Sequence, residues 1–107
     1  MPYIVSTSVY PTDKAKEVAE RYIEVIAKYP PDENIGIPVV PVAAKATEQG
    51  LRVMTLSEVK AGKLDDALNR SVNAMAMFNE VEGFEYTIDI YMTLSEGLAT
   101  LGMSMPG

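Results

Sequence analysis

The chain has no cysteine, no histidine and no tryptophan among its 107 residues. Without Cys it can form no disulfide, no thiolate nucleophile and no thiolate metal site. Without His it lacks the commonest general base and the usual nitrogen ligand for zinc or haem iron. Acid–base chemistry would fall to Asp, Glu, Tyr or Lys. No calcium-type loop of spaced carboxylates is present, so neither a metal nor a cofactor is expected. No apolar run approaches the ~20 residues that cross a bilayer. The opening Met-Pro-Tyr-Ile-Val-Ser lacks the basic start and cleavage site of a secretory signal, and a cytoplasmic protein is expected. Basic residues are scarce as well: nine Lys and Arg against fifteen Asp and Glu give a net charge of −6. That balance argues against binding nucleic acid, whose affinity rests on neutralised phosphates, and gives no attraction to anionic membranes.

What is present is clear patterning. Phe84, Tyr86, Ile88, Ile90, Met92 and Leu94 alternate with Glu85, Thr87, Asp89, Tyr91 and Thr93. A two-residue period means a strand with one apolar and one polar side, here Phe84 to Leu94. Tyr3 to Tyr10 reads as a first strand closed by Pro11, with Tyr3, Val5 and Val9 opposite Ile4, Ser6, Ser8 and Tyr10. An amphipathic helix follows from Thr12, its expected N-cap, to Tyr29, where Pro30 and Pro31 stop it. Its apolar stripe is Ala15, Val18, Ala19, Tyr22, Ile23 and Ile26, with Val25 off the stripe and Glu17–Arg21 and Glu24–Lys28 paired on the wet side.

Ile35 to Thr47 is extended but interrupted by Pro38 and Pro41, which places it at a sheet edge or at a bulge. Glu48-Gln49-Gly50 turns the chain into a third strand, Leu51 to Lys60, whose facing the pattern leaves open. A second helix spans Lys63 to Val81, with a stripe of Leu64, Ala67, Leu68, Ser71, Val72, Met75 and Phe78 and with Gly83 closing it. Thr93 and Glu96 fit a capping box, so a short helix begins the tail over residues 95–107. The seven Met residues invite a soft-metal reading. Met75, however, lies on the second helix's stripe and Met54 and Met92 on apolar strand faces, where filling core gaps is the plainer reading. Met77 falls off its stripe.

The order strand, helix, strand, strand, helix, strand predicts one α+β domain over residues 1–107. Its expected form is a ferredoxin-like βαββαβ fold, a four-stranded antiparallel sheet in the order 4-1-3-2 with both helices on one face. The other face is left bare. The polar sides of the first and last strands would put Ser6, Ser8, Tyr10, Glu85, Thr87, Asp89 and Tyr91 on it, with Thr55 and Ser57 if the third strand faces the same way. Those seven are the candidate ligand-binding residues. Glu85 and Asp89 stand roughly 13 Å apart by strand rise, too far for a carboxylate dyad. Each could act singly, or be an ordinary solvated acid. Tyr10 and Tyr91 could hydrogen-bond a ligand or simply sit at a subunit interface. Arg52 could hold an anion or lie in solvent. Ser6 and Ser8 have no His to activate them as nucleophiles. The same fold hosts RNA-binding modules, but these need aromatics in a basic setting and the face is acidic.

The element order, the polarity of the bare face and the junction Glu82-Gly83-Phe84-Glu85 resemble the dimeric α/β-barrel superfamily over about residues 1–94. That group includes antibiotic-biosynthesis-type monooxygenases, muconolactone-isomerase-like proteins and stress-responsive barrel proteins. The resemblance implies a homo-oligomer paired through the bare sheet faces, with a small-molecule cavity between them. It carries no catalytic residue onto this chain, and haem handling, which typically uses a His, is not implied. Two readings stand: a small-molecule-binding barrel, with a cofactor-free monooxygenase or isomerase as a variant, and a non-catalytic oligomeric or regulatory module. Whether the chain is an enzyme is left open.

Overall fold

The structure, a computed structural model, describes residues 1–106. Strand β1 spans Tyr3–Tyr10, β2 Gly36–Thr47, β3 Gly50–Val59 and β4 Glu85–Tyr91; helix α1 spans Ala15–Lys28, α2 Leu64–Ala76 and α3 Leu94–Thr100. All pairings are antiparallel and the sheet order is β2-β3-β1-β4. This is the expected α+β, ferredoxin-like order, read from the opposite edge.

Proline acts as anticipated. Pro38 and Pro41 lie in the edge strand β2, and its ladder with β3 slips between Pro38 and Val40 and again between Val40 and Ala43. A missing N–H costs least at an edge. The hairpin to β3 closes at Gly50, which has φ +126°. A Cβ there would lie 2.1 Å from the Tyr10 carbonyl oxygen, so the turn needs both the conformation and the bareness of glycine.

Directly opposed residues in an antiparallel pair share a face, so the registers settle what alternation could not. Ser6 faces Thr55 and Ile88, Ser8 faces Val53 and Tyr86, and Ile4 faces Ser57 and Ile90. These residues lie under the helices, because Tyr10 is buried with Val18 of α1 and with Phe78 and Val81. Ile4 and Val59 are buried with Ala67 of α2. The expectation that Ser6, Ser8 and Tyr10 share a bare face with Glu85, Thr87, Asp89 and Tyr91 is therefore corrected: the two groups lie on opposite faces.

The helices depart from their predicted bounds in detail. Thr12–Lys14 is a 3-10 turn, and α1 starts after it with no side-chain cap. Val25, expected off the stripe, packs against the core, whereas Ile23 is 69% exposed. The core-facing line thus runs Ala15, Val18, Val25, rotated by roughly 50° from the predicted stripe at ~100° per residue. Arg21 bonds Glu24 at 3.5 Å rather than Glu17. It also reaches Glu80 at 3.5 Å, beyond the end of α2.

Helix α2 stops at Ala76, and tight turns carry Phe78 and Val81 into the core at 5% and 3% exposure. Phe78 stacks on Phe84 with ring centroids 4.7 Å apart, and Phe84 stacks on Tyr10 at 5.8 Å. β4 ends at Tyr91, short of the predicted Leu94, because α3 takes over with the expected capping box. Glu96 N–H donates to Thr93 Oγ1 at 3.2 Å, and Thr93 N–H donates to Glu96 at 2.8 Å.

Candidate functional site

Two concavities lie on opposite faces of the sheet. The first is an apolar cavity of about 310 Å³ between the helix face and α1. Its floor is Ser6, Ser8 and Tyr10 of β1, Val53 and Thr55 of β3, and Val42 and Ala44 of β2. Its roof is Ala15, Val18, Ala19, Tyr22 and Val25 of α1, and Met75, Phe78 and Phe84 close one end. The space follows from side-chain size. Ser6, Ser8 and Ala44 on the floor and Ala15 and Ala19 on the roof are too short to meet across a helix-on-sheet spacing of ~10 Å.

The lining is mainly carbon with five hydroxyls, from Ser6, Ser8, Thr55, Tyr10 and Tyr22. It contains no Asp, Glu, Lys or Arg. Among the described residues no buried side-chain polar atom lacks a hydrogen-bond partner. Such a wall is suited to an uncharged, largely apolar molecule that a few hydroxyl contacts could orient. A charged one would be desolvated without a partner.

The second is a shallow depression of about 250 Å³ on the open face, at Thr7, Val9, Arg52, Glu85 and Thr87. Here the registers form rows across the sheet. One row reads Lys45, Arg52, Val9, Glu85; the next reads Ala43, Met54, Thr7, Thr87; the next reads Val40, Leu56, Val5, Asp89. The middle of this face is thus apolar, with charge at its margins, and not the hydroxyl-rich surface that the sequence suggested. Val5 is 9% exposed and belongs to neither helix-side cluster.

The seven predicted residues therefore divide. Ser6, Ser8 and Tyr10 converge in the cavity under α1, and Glu85 and Thr87 line the depression on the other side. Asp89 and Tyr91 line neither. Sequence reasoning missed the roof. Its signal was the pair Ala15 and Ala19, four apart, where a packed helix would carry larger side chains. Among the described residues no cluster of three or more acidic side chains is placed to hold a metal ion, and no helix is long and apolar enough to cross a membrane.

No protein family matches the sequence, and no curated protein matches it. Among solved structures, a formyltetrahydrofolate deformylase from Pseudomonas putida KT2440 is similar, at 7% identity and a TM-score of 0.46. The match covers 83% of this chain and 28% of that one. The chain thus spans less than a third of that enzyme's length, and no functional statement passes from one to the other.

Proposed function

We propose that this chain is a binding protein for a small, uncharged and largely apolar molecule, held between the sheet and α1. The observation that carries the reading is the cavity of about 310 Å³ with Ser6, Ser8 and Tyr10 on its floor and no charged residue in its lining. Its volume lies at the lower end of the ~300–1,000 Å³ usual for small-molecule sites. Binding is favoured over acid–base chemistry because the lining offers hydroxyls and carbon but no carboxylate, amine or imidazole to take up or give a proton.

The test is titration with N-phenyl-1-naphthylamine, an uncharged fluorophore that brightens in apolar sites. Saturable enhancement is expected from the unaltered chain, with affinity falling roughly tenfold or more in Ala19→Leu, which fills the roof. Enhancement that is non-saturable, or indifferent to Ala19→Leu, would overturn the reading.

A second reading, compatible with the first, is self-association through the open face in the manner of dimeric α/β barrels. It is supported by the apolar middle of that face, Val5, Val9, Met54 and Leu56, with charge at the margins, as at subunit interfaces. The row Lys45, Arg52, Val9, Glu85 is self-complementary: a two-fold axis that reverses it sets Lys45 against the partner's Glu85 and Arg52 against the partner's Val9.

A further inference from the structure

The two edges of the sheet are unlike. The β2 edge carries Pro38 and Pro41 and two register slips, the devices that keep an edge from pairing with another strand. The β4 edge has none of these. All seven residues from Glu85 to Tyr91 pair in unbroken register with β1, with no proline, lysine, arginine or glycine among them. Large apolar side chains stand uncovered at its end, with Ile90 47% and Met92 63% exposed. A regular edge with no proline and no bulge is a template for another strand, provided its two carboxylates, Glu85 and Asp89, are kept apart.

We propose that the β4 edge pairs antiparallel with β4 of a second copy, about a two-fold axis at Ile88. This goes beyond pairing through the open face, uses the backbone edge of β4 rather than that face, and stands independently of it. The register follows from symmetry and charge. A two-fold axis perpendicular to the sheet keeps each face on its own side, so even-numbered residues oppose even and odd oppose odd. Centring on Thr87 would set Glu85 against the partner's Asp89, and centring on Asp89 would set that carboxylate against its own copy. Like charges directly opposed are destabilising. Centring on Ile88 avoids both and overlaps the whole strand. Glu85 then meets the partner's Tyr91, and Thr87 meets the partner's Asp89. On the helix face every pair is apolar or aromatic: Tyr86 against the partner's Ile90, and Ile88 against the partner's Ile88. Met92, just past the strand, comes to lie opposite the partner's Phe84.

Because the chain has no cysteine, single-cysteine variants read this register directly. Opposed Cα atoms in an antiparallel pair lie about 4.5–5.5 Å apart, within disulfide range. Ile88→Cys, oxidised with copper–phenanthroline, is expected to pass mostly into a disulfide-linked dimer on non-reducing gels. Ile23→Cys, on the exposed side of α1, sets the background of random collision. Ile88 points to the helix side, so pairing through the open faces cannot bring two copies of it together. Should Ile88→Cys fail to fold, an equimolar mixture of Tyr86→Cys and Ile90→Cys decides: the mixed disulfide should far exceed either self-disulfide. A folded Ile88→Cys that links no faster than Ile23→Cys, or a mixture with no preference for the mixed product, overturns the proposal.

Discussion

Ser6 lies directly across from Ile88 in the β1–β4 ladder. A small hydroxyl thus shares the helix-covered face with a core side chain, rather than sharing the open face with Glu85 and Thr87. That one register puts the serines beneath α1, where their small size leaves room for a ligand. It also leaves the open face to Val5, Val9, Met54 and Leu56.

The hairpin turn should be intolerant of any side chain. Gly50→Ala puts a methyl into the Tyr10 carbonyl and forces a residue with a Cβ into φ +126°. The variant is expected to lose about 3 kcal/mol, at the upper end of ordinary single substitutions, through backbone strain and a steric clash. Urea unfolding followed by circular dichroism measures it; a loss below about 1 kcal/mol would mean that the β1–β3 crossing is looser than described.

Phe78 and Ile23 offer a matched contrast between a turn residue and a helix residue. Phe78→Ala removes a ring 5% exposed and stacked on Phe84, and should cost about 4 kcal/mol. Ile23→Ala, at 69% exposure, should stay within about 0.5 kcal/mol. Equal losses in the two would contradict the rotation of the α1 stripe from Ile23 to Val25.

Leu56→Lys tests the open face without touching the cavity. The substitution leaves α1, α2 and the fluorophore site alone, but buries an unpaired charge wherever two open faces meet. Sedimentation velocity should show the assembly reduced to a smaller species, with N-phenyl-1-naphthylamine affinity retained. Unchanged sedimentation would remove the open face as a subunit contact.

Acid should release α3 before the rest of the chain. The Thr93 backbone N–H, donated to Glu96 at 2.8 Å, and next the Met1 ammonium at 3.0 Å, hold the Glu96 carboxyl below its usual range. A carboxyl depressed on folding stabilises above its unfolded value of ~4.3, and that contribution fades as pH falls through the lower folded value. The protection factors of the α3 amides, that is the intrinsic exchange rate at each pH divided by the observed one, should therefore be steady from neutrality to about pH 5 and fall below it. Glu96→Gln should flatten that acid response. A response that survives the substitution would assign it to another group.

Element order, strand order and the capping box at Thr93 were legible in the sequence because each rests on local chemistry. Proline stops α1, Gly50 makes the hairpin, and alternation marks β4. The facing of β1 was not legible. Its two sides carry similar apolar weight, Tyr3, Val5 and Val9 against Ile4 and Tyr10, so the alternation has no preferred sense. What settles it is long-range: Tyr10 stacks on Phe84, and Ile4 packs with Val59 and Ala67. The cavity was hidden for the same reason, since short side chains on β1 and α1 become a void only once the register sets them opposite each other. The rotation of α1 escaped because Ile23 and Val25 are equally apolar, and only the docking angle on the sheet distinguishes them.

Pro38 and Pro41 carry a consequence for solubility. A sheet with two receptive edges can add copies at both ends without limit, which is the geometry of a fibril. Here one margin is chemically closed, so any strand-to-strand contact through the other uses up the remaining site on each molecule. Growth along the sheet then ends at two copies. Replacing both prolines with residues that have an N–H would reopen the second margin and leave nothing to stop edge-paired sheets from propagating.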